Sequence, residues 1–171
     1  LILDYLEHSP YVFLVGISGV GKTSLMQQMH FPGNIYKGET LISTWAKDLC
    51  LKPAFLFLDE ANLSPSNWRL FHQKPALFYQ GQHFPLTQHH KVIFAGNPLS
   101  YGDERKLATL FSRHGRMITL TPFPNSVIFE TCISPLFPEP DIAQHLLQIY
   151  QFICQQSQHT LLISPREIQT I

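Results

Sequence analysis

The sequence has few cysteines, and they lie far apart. Cys50, Cys132 and Cys154 include no C-x-x-C pair, which argues against a disulfide framework or a zinc site. They read as core or surface thiols of a reducing compartment. Net charge is also missing, because twelve Lys and Arg balance twelve Asp and Glu, and no run of Lys or Arg appears. Neither a global field nor an evident patch draws the chain to nucleic acid or an anionic membrane. No apolar run approaches the roughly 18 residues of a membrane span, and the first ten residues lack the basic start of a signal peptide. A cytoplasmic location is the expectation. There is no internal repeat and no low-complexity tract. The chain opens on Leu1 rather than Met and closes inside a helical pattern, so we expect a piece of a longer protein.

What the sequence does have is apolar segments in a regular succession. With 44% hydrophobic residues among 171, it suits one domain and the start of a second. "LILDYLEHSP" reads as an amphipathic helix ended by Pro10. "YVFLVGI", "AFLFLDEAN" and "KVIFAGN" are continuous apolar runs of strand length, the pattern of strands covered on both faces in a parallel sheet. "RMITLTPF" is a fourth strand. Between them, "KTSLMQQMH" is helical, and "ETLISTWAKDL" sets Leu41, Ile42, Trp45, Ala46 and Leu49 at helical spacing. "SPSNWRLFHQ" starts a helix with Ser64 as N-cap and Pro65 at the first helical position, and "DERKLATLFSRHG" is a helix ended by Gly115. "ALFYQGQHFPLT" alternates like a β-hairpin about its central glycine. From Asn125 onward only helical patterns follow. An α/β sheet domain over residues 1–124 and a partial helical appendage over 125–171 are therefore expected.

The candidate chemistry begins at "GISGVGKTS". Gly16, Gly21, Lys22 and Thr23 satisfy G-x-x-x-x-G-K-[ST] between a strand and a helix, the context that the phosphate-cradling motif demands. Backbone N–H groups of such a turn point at phosphates, and larger side chains block that approach. The stretch makes Gly16, Ser18, Gly19, Val20, Gly21, Lys22, Thr23 and Ser24 candidate nucleotide contacts. Lys22 is suited to the β- and γ-phosphates and the Thr23 hydroxyl to Mg²⁺. In "FLFLDEAN", Asp59 at a strand end can hold the Mg²⁺ shell, and Glu60 beside it can take a proton from an attacking water. That Asp-Glu pair favours hydrolysis over transfer to a substrate hydroxyl. Asn97, ending the next strand, can position the water against the γ-phosphate.

In this series the chain resembles the AAA+ ATPases, in the branch that includes MoxR-type ATPases, midasin and the dynein motor. "GISGVGKTS" looks like their Walker A, "FLFLDEANLSP" their Walker B with its following Asn and Pro, and "FAGNP" their first sensor. "LATLFSRHGRMITL" is similar to the segment with the arginine finger, placing it at Arg113, although His114 stands where the family usually has Phe. Arg105 and Arg116 are the next candidates. "SPREI" resembles the second sensor and places Arg166 on a helical lid. The resemblance implies a P-loop NTPase sheet of order 5-1-4-3-2 and ATP with Mg²⁺ as ligands. It also implies a ring of identical subunits or a neighbouring AAA+ module as partner, and work done on a macromolecular client. The absence of an N-K-x-D guanine-reading motif agrees with ATP. A regulatory nucleotide switch with little turnover and a small-molecule kinase are the alternatives.

Only 36 residues separate Lys22 from Asp59, which squeezes the segment "NIYK" at the expected sheet edge and puts any pore loop there in doubt. Related ATPases carry an insertion where residues 76 to 87 form the expected hairpin, and it can contact partners or cover core. Gln88, His89 and His90 have no acidic or thiol partner at ligand spacing and read as a polar turn. The aromatics sit mostly in apolar runs and read as core.

Overall fold

The computed structural model describes residues 1–49, 51–61, 76–97 and 116–156. They fall into two compact units. The first comprises Leu1–Val15 with Thr23–Thr119, and the second Gly16–Lys22 with Leu120–Ile171.

The first unit is an α/β sheet flanked by helices. Helix α1 (Ile2–His8) leads into β1 (Tyr11–Val15), and α2 (Lys22–Gln28) precedes β2 (Asn34–Lys37). A 3₁₀ turn (Glu39–Leu41) opens α3 (Ile42–Ala46), which is followed by β3 (Ala54–Leu58), β4 (Ala76–Tyr79), β5 (Gln82–Pro85), β6 (His90–Gly96) and β7 (Arg116–Thr119). Five strands form one sheet in the order β2-β3-β6-β1-β7, and every pairing in it is parallel. Numbered among themselves in chain order, these five read 5-1-4-3-2 from the β7 edge.

The continuous apolar runs form the sheet's interior because parallel strands are buried on both faces. All five residues of β3 are buried, as are Val92–Gly96 of β6. Parallel register sets Tyr11 beside Val92, Phe13 beside Phe94, Leu56 beside Val92 and Leu58 beside Phe94. On that face they join Ile42, Trp45 and Ala46 of α3 and Leu77 and Phe84 of the hairpin in one core. The hairpin β4–β5 turns on Gln80 and Gly81, both at positive φ (49° and 76°), as a tight right-twisted hairpin turn requires.

The edge strand forms as the expected order requires, and one expectation needs correction, the length of the second crossover helix. The squeezed "NIYK" is a full partner of β3, with Asn34 opposite Ala54 and Lys37 opposite Phe57. Room for it comes from short crossovers, since α2 has seven residues and α3 only five. At its start the backbone of Gly33 passes so near β3 that an added Cβ would lie 1.8 Å from the Pro53 carbonyl oxygen. The second crossover helix stops early. Ile42, Trp45 and Ala46 are buried, but Leu49 is 65% exposed beyond the helix end. The chain turns there to lay Asp48 against β2, where its Oδ2 accepts from Asn34 Nδ2 at 2.9 Å and Tyr36 Oη at 2.8 Å.

In the second unit, α4 (Asn125–Ile128) runs into a π-helical turn (Phe129–Ile133), and α5 spans Pro140–Gln156. Ile128, Cys132, Ile133, Ala143, Leu147 and Tyr150 form its core. Cys132 is buried and Cys154 half-buried. Cys50 and the helices expected over 64–73 and 103–115 lie outside the described residues. Among the described residues no helix is long and apolar enough to cross a membrane.

Candidate functional site

Parallel strands gather their carboxyl ends on one edge of a sheet, where α/β folds place ligands. Here β3 ends at Leu58 and hands the chain to Asp59, and its neighbour β6 ends at Gly96 and hands it to Asn97. The register of Leu58 with Phe94 brings these polar ends together.

Their side chains form a connected set. The Thr23 hydroxyl, in the first turn of α2, donates to Asp59 Oδ2 at 2.8 Å. The other Asp59 oxygen, Oδ1, accepts the Glu60 backbone N–H at 2.9 Å. Asn97 is 4% exposed, and its Nδ2 donates to Glu60 Oε1 at 3.3 Å. The Ala61 N–H donates to the Ala95 carbonyl at 2.8 Å, fixing the chain beyond Glu60 to β6. Between those ties Glu60 adopts φ 49°, a left-handed conformation that costs a non-glycine residue about 1–2 kcal/mol. Nothing in "LDEA" announces that conformation; it follows from anchoring both neighbours.

In the second unit, Gly16–Lys22 closes on itself. The Lys22 ammonium, 7% exposed, donates to the carbonyls of Gly16 at 2.7 Å and Ile17 at 3.0 Å. The Val20 N–H donates to the Ile17 carbonyl at 3.3 Å. Gly19 and Gly21 hold positive φ of 75° and 91°, which side chains disfavour. Gly16 is glycine for a different reason: a Cβ there would meet Val20 Cγ1 at 2.7 Å and the Leu120 carbonyl oxygen at 3.1 Å. Ser18 and Ser24 are exposed, and Val20 is buried. Lys22 and Thr23, one in each unit, are successive residues of α2.

A hydroxyl and a carboxylate are hard oxygen donors, the type Mg²⁺ takes in ones and twos while keeping water and phosphate oxygens around it. With oxygen donors alone, the Thr23–Asp59 pair suits Mg²⁺ better than a metal that favours thiolate or imidazole.

Arg113, Arg166 and Arg105 lie outside the described residues. Arg116 is described, at the start of β7 opposite Val12, with its guanidinium carbon 5.1 Å from the centre of the Tyr5 ring. It sits at the amino ends of the strands, the opposite end of the sheet from Asp59 and Asn97.

No protein-family model matches the chain, and no curated protein matches it.

Proposed function

We propose that the chain is a Mg²⁺-dependent ATP-binding and ATP-hydrolysing module of AAA+ type, built on the P-loop NTPase form of the α/β fold. Its hydrolysis would drive remodelling of a macromolecular partner. The observation that carries this reading is the Thr23–Asp59 hydrogen bond of 2.8 Å. It brings the hydroxyl of G-x-x-x-x-G-K-T together with the acidic end of an apolar strand, two groups that are 36 positions apart and share one use, as ligands of the cation that accompanies a nucleotide triphosphate.

On this reading Gly16–Gly21 presents backbone N–H groups to the phosphates, and Lys22 exchanges its two loop carbonyls for phosphate oxygens. Thr23 and Asp59 would hold Mg²⁺, which would neutralise phosphate charge there. Glu60 accepts a proton from the attacking water. Asn97 orients that water and steadies the Glu60 carboxylate, to which it already donates. Arg113 and Arg166 complete the site, Arg113 from a neighbouring subunit or module.

The test is the ATPase rate of Glu60→Gln beside its ATP affinity, in the full-length protein under assembling conditions. Glutamine keeps the shape and cannot take the proton, so turnover should fall by about 10²- to 10⁴-fold with ATP still bound. Wild-type turnover in this variant would contradict the reading.

A further inference from the structure

His90 is 2% exposed, so the polar turn expected of residues 88–90 ends one residue sooner, and its last imidazole belongs to the core. A backbone N–H can only donate. The Thr87 N–H lies 3.0 Å from His90 Nδ1, so that nitrogen must carry a lone pair. The ring is then neutral, with its proton on Nε2, for which no partner at full hydrogen-bond geometry is found among the described residues. The ring stands edge-on to Trp45 at 5.1 Å between centres and 89° between planes. Trp45 Nε1 in turn donates to the Ala54 carbonyl at 2.9 Å.

The rest of the turn leans on the same nitrogen. Thr87 Oγ1 is 3.1 Å from Nδ1 and accepts the His89 N–H at 3.2 Å. The His90 N–H donates to the Thr87 carbonyl at 3.2 Å. The His89 carbonyl accepts the Ala54 N–H at 2.9 Å. This short connection joins the hairpin, through the buried Phe84 and Leu86, to the start of β6.

We propose that residues 87–90 form an acid-sensitive latch: protonating His90 at Nδ1 sets a donor against the Thr87 N–H, breaks that bond and releases the β5–β6 connection. The charges bearing on the ring are mixed. Burial opposes the imidazolium most strongly and His89 adds to that, while Asp48 and backbone acceptors at Trp45 and Thr87, distinct from the Thr87 N–H, favour it. Lys47, on the same side, has its ammonium over the Phe84 ring at 5.9 Å. Burial outweighs the groups that favour the charge and holds His90 below its ordinary value. The unfolded chain therefore takes up the proton first as pH falls, so the latch is fully closed above about pH 6.5 and weakens below it.

The test reads the wild-type imidazole and the Thr87 amide directly. Long-range ¹⁵N–¹H spectra at pH 8 should show the Nε2–H tautomer. Thr87 amide protection, corrected for intrinsic exchange, should fall about tenfold between pH 7.5 and 5.5, the weight of one hydrogen bond. In His90→Asn a side-chain oxygen can replace Nδ1 as acceptor without titrating, and protection should stay flat over that range. An Nδ1–H tautomer at pH 8, or Thr87 protection unchanged in the wild type at pH 5.5, would overturn the proposal. An equal acid response in a folded His90→Asn would assign the effect to Asp48 or His89 and overturn it too.

Discussion

The hydroxyl of Thr23 donates to Asp59 Oδ2 across 2.8 Å, tying the first turn of α2 to the end of β3. The bond is exposed, so its loss should cost the fold no more than about 1 kcal/mol. Its functional weight is different. Thr23→Val keeps the shape and removes a cation ligand, and the gain in ATP affinity on adding MgCl₂ should shrink about tenfold or more. Nucleotide titrations with and without Mg²⁺ in both forms measure it. An unchanged Mg²⁺ effect would remove Thr23 from the cation site.

Glu60 holds a left-handed backbone at φ 49°, where glycine is at no steric disadvantage. Glu60→Gly gives up the Asn97 hydrogen bond but relieves about 1–2 kcal/mol of conformational cost. Denaturant unfolding should find it no less stable than the wild type, with hydrolysis abolished. A loss above about 1 kcal/mol would show that the Glu60 side chain is needed for the fold.

Gly33→Ala should be clearly destabilising. Its Cβ would lie 1.8 Å from the Pro53 carbonyl oxygen, an overlap that only backbone movement relieves, at roughly 1–3 kcal/mol or more. The damage should centre on β2, seen as lost amide protection at Asn34, whose N–H donates to that same carbonyl at 3.1 Å. Wild-type stability would mean that the edge strand shifts freely.

The hairpin offers a gain. Gln80 sits at φ 49° ahead of Gly81 at 76°, where Asn-Gly is the favoured pair. Gln80→Asn should raise stability by a few tenths to about 1 kcal/mol, read as a higher Tm. A lower Tm would argue that the Gln80 side chain has a role of its own.

These outcomes separate what the residues announce from what only the fold decides. The buried strands were legible because "YVFLV", "AFLFL" and "VIFAG" are apolar without alternation, and their polar ends were legible because Asp59, Glu60 and Asn97 break off those runs abruptly. The length of α3 was not. Leu49 continues the helical spacing, yet Asp48 finds Asn34 and Tyr36, a tertiary pairing that periodicity does not encode. His90 misled for a similar reason. It follows two polar residues, and the tertiary contacts of its ring with the Thr87 N–H and with Trp45 are not encoded in that local pattern. The short crossovers that let β2 form were hidden because spacing alone does not say how a chain divides its residues between helix and strand.

Lys22 gives the most direct measurement. Its ammonium is held by the carbonyls of Gly16 and Ile17, and on the proposed reading it exchanges them for phosphate oxygens, contacts worth about 1.5–3 kcal/mol each when charged. Titration calorimetry of Mg-ATP into the wild type and into Lys22→Ala should find saturable binding in the first and an affinity at least about tenfold weaker in the second. Equal affinities, or no binding to a folded wild type, would contradict the account.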